Sequence, residues 1–148
     1  MIERIKTVER LAEYAPLLVK EYHEYRRLFE QDTTQEVFIS KLFSYFTDKS
    51  NLFFGRINNG KLDFFVCATA LPCKYKNVKL VWFLYCNPKC HKYTYEWLDL
   101  CKAYCRMEKV DELRFMTNRL TRSYRRFAAR IKAKPTWLTY SINLNEEK

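Results

Sequence analysis

The stretch Val78-Lys79-Leu80-Val81-Trp82-Phe83-Leu84-Tyr85-Cys86-Asn87-Pro88-Lys89-Cys90-His91-Lys92-Tyr93-Thr94-Tyr95-Glu96 decides how this chain folds. Its first eight residues form a strand-like apolar run, interrupted only by Lys79. A short turn containing Pro88 follows, and then a helix-like run from Trp97-Leu98 through Cys101 to Tyr104-Cys105. A helix that opens directly after a strand presents its first N–H groups and the positive end of its dipole at the strand's tip, where an anion is favoured. The turn has no glycine to bring the backbone close to a ligand, and Glu96 places a negative charge near the helix start.

This strand, turn and helix resemble the acyl-CoA-binding step of the GNAT acetyltransferase superfamily, usually written hydrophobic-x-Pro-x-x-(Arg/Gln)-x-x-Gly-x-(Gly/Ala). Laid on without gaps, Cys86 and Pro88 fit, His91 takes the Arg/Gln place, and Thr94 and Glu96 replace the glycines. If acetyl-CoA binds, the resemblance implies contacts from Lys89, His91, Lys92, Thr94 and Asn118, with side-chain charge standing in for glycine backbone. It also implies Tyr124 as the acid that reprotonates the leaving thiolate, although Leu120, Phe127 and Ile131 share its helical face and favour packing. For a base, His91 is the candidate, because an ordinary imidazole changes charge near neutrality. The fourth strand carries no carboxylate, and Asp63 is expected near a hairpin, away from the cofactor gap.

With 148 residues, 48% hydrophobic and 17% aromatic, the chain is expected to be one domain with one core. No apolar run is long enough to span a bilayer, and the N-terminus lacks a signal-peptide pattern, so a cytoplasmic location is expected. The six cysteines lie between Cys67 and Cys105. Cys101 and Cys105 share a helical face with Trp97 and Leu98, which reads as burial. The Cys-x3-Cys spacings do not match structural zinc knuckles, so reduced, metal-free cysteines are expected.

The net charge of +10 is unevenly distributed. Residues 1–60 are neutral. Between Glu112 and Glu146 there is no acid, while Arg119, Arg122, Arg126 and Arg130 line one side of a helix expected at 119–132. A second acid-free stretch from Phe64 to Tyr95 holds Lys74, Lys76, Lys79, Lys89 and Lys92. This asymmetry points to a polyanionic partner, either nucleic acid or an acidic protein surface. Lys74-Tyr75-Lys76 and His91-Lys92-Tyr93 set rings among cations, as single-strand binders do when the rings are exposed.

Outward from the central step, Ile2 to Lys6 reads as a first strand and Thr7 as a helix cap, with Pro16 breaking or kinking that helix. Thr33-x-x-Glu36 has capping-box spacing. Leu52 to Ile57 and Leu62 to Leu71 flank the hairpin signal Asn58-Asn59-Gly60. A helix is expected at 95–109 and a buried strand from Leu113 to Thr117. Lys134-Pro135 ends the arginine-bearing helix, and Leu138 to Leu144 alternate as a last strand. The order β-α-α-β-β-β-α-β-α-β matches the GNAT succession and predicts an α/β (α+β) fold with a mixed, mainly antiparallel sheet and about four helices. In GNAT proteins the fourth and fifth strands splay, and acetyl-CoA lies between them. The degenerate loop resembles that of acetyltransferase-like virion proteins of tailed phages. The leading expectation is therefore a non-catalytic binding or structural module without a cofactor, able to oligomerise, in the cytoplasm or a virion. The alternative is a divergent N-acetyltransferase that uses acetyl-CoA.

Overall fold

The computed structural model describes residues 1–21, 34–87, 89, 92–115, 126 and 128–133. The chain forms two compact units, Met1–Asn118 and Arg119–Lys148. The first contains β1 (Glu3–Arg4), α1 (Val8–Val19), α2 (Gln35–Phe46), β2 (Leu52–Asn58), β3 (Lys61–Leu71), β4 (Val78–Cys86), α3 (Tyr93–Met107) and β5 (Glu112–Phe115). The five strands make one sheet in the order β1-β2-β3-β4-β5. All neighbours are antiparallel except β4 and β5, which run parallel. This is the mixed, mainly antiparallel α/β architecture expected.

Local chemistry accounts for most element boundaries. Thr7 caps α1 by accepting a hydrogen bond from the Arg10 N–H at 3.1 Å. The helix runs on through Pro16 to Val19, so the expected break is absent there. The cap of α2 is Thr34, which accepts from the Val37 N–H at 3.2 Å. The capping-box reading from Thr33 was therefore one residue early, and with Val37 at the third helical position no carboxylate returns the bond. Asn59 and Gly60 both adopt positive φ, 50° and 73°, closing the β2–β3 hairpin with Asn58 opposite Lys61.

The sheet is buried on both faces, which is why Leu62 through Thr69 are buried without alternation. Phe53, Phe65, Cys67 and Phe83 join Leu11, Tyr14 and Leu18 of α1 and Phe38 and Leu42 of α2 in one core. The adjacent residues Phe54 and Phe64 face the other way, toward Tyr104, Tyr93 and Trp97 of α3. Leu98, Cys101 and Cys105 are buried with them, as their helical spacing implied.

The Val78 end of β4 is tied down. Lys79, only 2% exposed, sits 3.3 Å from Glu108 at the end of α3, and its ammonium donates to the Ser50 carbonyl ahead of β2. The Asn77 N–H donates to Asp111 Oδ2 at 2.8 Å, and its carbonyl accepts from the Asp111 N–H at 2.8 Å. Lys79 is thus removed from the basic surface proposed from sequence. Lys76 is exposed but paired with Glu112.

Two helices end with a lysine in the left-handed conformation. After α3, Lys109 has φ 56°, and the Val110 N–H reaches the Cys105 carbonyl at 2.8 Å. In the second unit, residues 126 and 128–130 are helical. There Lys132 has φ 58°, and the Ala133 N–H reaches the Ala128 carbonyl at 2.9 Å. Both are Schellman ends with lysine where glycine is usual. The second helix therefore stops before Lys134-Pro135, the stop read from sequence, because the left-handed Lys132 has already turned the chain. The expected final strand lies outside the described residues.

Candidate functional site

Strand β4 changes character midway. In its pairing with β3, Cys67 opposes Phe83 and Ala68 opposes Val81, so Trp82 is an extra residue. The bulge lets consecutive residues reach the same face. Trp82 stacks on Phe38 at 5.6 Å between ring centroids, and Phe83 meets Phe38 edge-on at 5.3 Å. Tyr45 adds an edge contact to Trp82 at 5.0 Å. On its other side β4 pairs with β5 from Val78↔Glu112 to Val81↔Phe115. The last described parallel pair falls immediately before the bulge. Beyond it, Trp82–Cys86 has β3 as its described neighbour, and Leu84 is 38% exposed.

The turn after β4 is held from β3. The Asn87 N–H donates to the Asp63 carbonyl at 2.9 Å, and Asn87 Oδ1 accepts from the Lys89 N–H at 3.0 Å. Asp63 is the extra residue of a second bulge, where Arg56 opposes Phe64 and Ile57 opposes Leu62. It lies beside the Asn59-Gly60 hairpin, as expected, and its carbonyl also reaches the β4–α3 turn. Helix α3 starts at Tyr93, two residues before the expected boundary. Its cap residue Lys92 is already helical (φ −61°, ψ −24°) and makes no side-chain capping bond. Lys89 and Lys92 are exposed. Glu96 in the first turn suits the helix dipole and competes with any bound anion.

Two buried donors, the Tyr93 hydroxyl and Arg56 Nε, have no hydrogen-bond partner among the described residues. Tyr93 is 2% exposed, packed on Phe64, with the Arg56 guanidinium 5.4 Å and the Lys92 ammonium 5.0 Å from its ring centroid. Arg56 Nε lies 3.4 Å from Asp63 Oδ2, an ion-pair distance without the alignment of a hydrogen bond. Arg56 was not singled out from sequence, and Tyr93 only as a ring set among cations. The oppositely charged Arg56 and Asp63 across the predicted hairpin were the available signal.

The residues proposed from sequence are only partly visible here. Lys89 and Lys92 flank the turn, and Thr94 lies in the first turn of α3 with its side chain outside the described set. His91, Asn118, Arg119, Arg122 and Tyr124 lie outside the described residues. Arg126 and Arg130 are exposed. Tyr75 is 86% exposed with the Lys74 ammonium 5.4 Å from its ring centroid, whereas Tyr93 is buried and unavailable for stacking on a base.

The thiols of Cys67, Cys86, Cys101 and Cys105 are poorly suited to nucleophilic chemistry. Burial pushes Cys86 and Cys101 up to about 12 and Cys67 well above its usual value. Cys105 is raised by burial, opposed by the nearby Lys79 charge. Cys73 alone is exposed among the described cysteines. No cluster suited to a metal ion occurs among the described residues. Cys90 lies outside them. No described helix is long and apolar enough to cross a membrane.

Solved structures match this arrangement almost end to end. A ribosomal-protein-alanine N-acetyltransferase from Brucella melitensis biovar Abortus 2308 superposes with a TM-score of 0.66, at 19% identity, over 97% of this chain and 99% of its own. A protein described as a probable acetyltransferase gives 0.73 at 17% identity, covering 97% of each chain. AAC(6')-Iy, in complex with the bisubstrate analogue CoA-S-monomethyl-acetylneamine, gives 0.69 at 9% identity, over 97% of this chain and 96% of its own. The chain has the GNAT fold. No protein-family model matches the sequence, and no curated protein does. At these identities the likeness of GNAT structures concerns the fold, and activity has to be argued from the site.

Proposed function

We propose that the chain is a GNAT-type N-acyltransferase that moves an acetyl group from acetyl-CoA to an amine. The observation that carries this reading is the bulge at Trp82, in the one described strand that has an antiparallel neighbour on one side and a parallel neighbour on the other. Where such a strand parts from its parallel neighbour, an extended amide-bearing arm such as pantetheine can pair with it as an added strand. The exposed Leu84 offers it an apolar surface. At the turn, the uncapped start of α3 and the exposed Lys89 and Lys92 suit the phosphates of such a carrier, in place of glycine backbone. When bound, acetyl-CoA supplies the acetyl thioester. The chain's part is to align that arm along β4 and to handle two protons, with His91 assigned to the amine and Tyr124 to the departing thiolate. The GNAT neighbours support this reading over the non-catalytic one.

One observation still favours a binding module. The helix start has no glycine and carries Glu96, which weakens an anion site. In that second reading the partner is a polyanion gripped by Arg119, Arg122, Arg126 and Arg130, with no cofactor required. The virion role rests on the loop resemblance alone.

Calorimetry with acetyl-CoA, followed by thiol release assayed over a panel of primary amines, decides between them. Micromolar binding with amine-dependent thiol release is expected. No binding at millimolar acetyl-CoA would overturn the enzyme reading.

A further inference from the structure

We propose that the loop between β3 and β4 is a docking surface for single-stranded nucleic acid, with the Tyr75 ring as a platform for one base and Lys74 as the partner of the adjoining phosphate. Residues 72–77 are exposed throughout. Tyr75 is 86% exposed, and the Lys74 ammonium lies 5.4 Å from its ring centroid. That is cation–π range, so ring and charge are already held side by side.

The loop is anchored at both ends. Leu71 pairs with Val78, which closes the hairpin. The Asn77 N–H donates to Asp111 Oδ2 and the Asn77 carbonyl accepts from the Asp111 N–H, both at 2.8 Å. The Asn77 side chain donates to the Lys109 carbonyl at 3.4 Å, and Lys76 is paired with Glu112. A loop anchored in this way presents its ring in one place and loses less freedom on binding.

The carboxylates at this end are engaged, whereas several lysines are not. Glu108 is held by Lys79, Glu112 by Lys76 and Arg114, Asp111 by the Asn77 N–H, and Asp48 by the N–H and hydroxyl of Ser50. Lys74, Lys109 beside Asn77, and Lys49 next to Ser50 are exposed and make no ion pair among the described residues. The stretch from Phe64 to Tyr95 contributes no acid of its own.

The exposed ring decides between polyanions. A duplex keeps its bases stacked and offers mainly phosphates, to which a tyrosine face adds little. A protein interface needs an apolar centre, and apart from Pro72 and Cys73 the loop neighbours of Tyr75 are polar or charged. A single strand has base faces to lay on the ring and phosphates for the lysines beside it. This surface lies at the Val78 end of β4, about 25 Å along the strand from the Cys86 end used in the acyl-CoA reading, and does not depend on that reading.

The full chain is titrated into a fluorescein-labelled single-stranded DNA of about 15 nucleotides, and separately into its duplex, with anisotropy read over a range of salt. Tyr75→Ala should weaken single-strand binding by about fivefold or more. It should leave duplex binding and the salt slope unchanged, because a stacking face is lost and no phosphate contact is. Tyr75→Phe should bind like wild type, and Tyr75→Leu like Tyr75→Ala, since an apolar side chain without a flat ring cannot stack. Lys74→Ala should lower the slope by about 0.7, the value of one phosphate contact on a single strand. Equal single-strand binding by wild type and Tyr75→Ala would overturn the proposal, as would no binding by wild type at low salt. Binding to polyglutamate that falls in Tyr75→Leu, without binding to single-stranded DNA, would overturn it in favour of an acidic protein partner.

Discussion

The ring of Tyr14 fills the space that a side chain at Gly55 would need. A Cβ on Gly55 would lie 2.5 Å from Tyr14 Cε1 and 2.9 Å from the hydroxyl oxygen. Tyr14 is fully buried and its hydroxyl donates to Glu3 Oε1 at 2.9 Å, so the ring is held from both ends and cannot swing aside. Gly55→Ala should therefore destabilise the fold by about 1–3 kcal/mol, the usual cost of overpacking. Urea unfolding measures it. In Gly55→Ala/Tyr14→Leu the loss should be smaller than the sum of the single losses, because the two residues share one space.

Lys79 and Glu108 make the second prediction. Glu108→Gln leaves a lysine charge buried with the Ser50 carbonyl as its described acceptor, and should cost about 3 kcal/mol or less, since Glu108 is partly exposed. Lys79→Met removes the charge itself and should be near neutral or stabilising. Equal losses from both, read from chemical denaturation, would contradict the account of a buried ion pair.

The left-handed lysines make the third. Lys109→Gly and Lys132→Gly should each stabilise by about 1 kcal/mol, because a side chain at positive φ is strained and glycine is not. Differential scanning calorimetry should show a higher Tm for each. A lower Tm would mean that the lysine side chain makes a contact worth more than the strain.

The cysteines make the fourth. In native protein at neutral pH, Cys73 should alkylate first among Cys67, Cys73, Cys86, Cys101 and Cys105, as mass spectrometry can map. The sign of the pH dependence follows from pKa values raised by burial. The native state keeps its thiol protons above pH 9.0, the ordinary thiol value, where the unfolded chain releases them. That contribution to stability is complete below about pH 9 and is lost as pH rises toward 12. Cys101→Ala should flatten the alkaline decline in the denaturation midpoint.

The arginine side of the second unit makes the fifth. Arg126 is exposed and the helical spacing read from sequence puts Arg122 on the same side, so Arg122→Glu/Arg126→Glu should shift stability by less than about 1 kcal/mol. In the second reading it abolishes nucleic-acid binding at moderate salt, measured by fluorescence anisotropy. In the enzyme reading acetyl-CoA affinity stays unchanged.

Signals between close neighbours were legible in the sequence. Asn59-Gly60 marked its hairpin, Thr7 its cap, and the Trp97-Leu98-Cys101-Cys105 stripe its buried face. The Thr33-x-x-Glu36 spacing pointed to a cap at Thr33, and the chain places the cap one residue later, at Thr34. The bulge at Trp82 was invisible because every residue from Leu80 to Tyr85 is apolar, so an extra residue changes no pattern. Lys79 read as surface because its partners Ser50 and Glu108 come from distant segments. The same holds for Arg56 and Tyr93, which meet only through the sheet and the helix packed on it.

Lys79 and Asn77 also set where the central strand can yield. Their bonds to Ser50, Glu108 and Asp111 root β4 at its Val78 end, as a beam is built into a wall. Its other end is held through the Asn87 N–H and the Asp63 carbonyl, so the strand is anchored on both sides of the bulge at Trp82. A ligand lying along Trp82–Cys86 therefore meets a strand whose only slip is at the bulge. Amide exchange should be faster at Trp82 than at Val81 or Phe83.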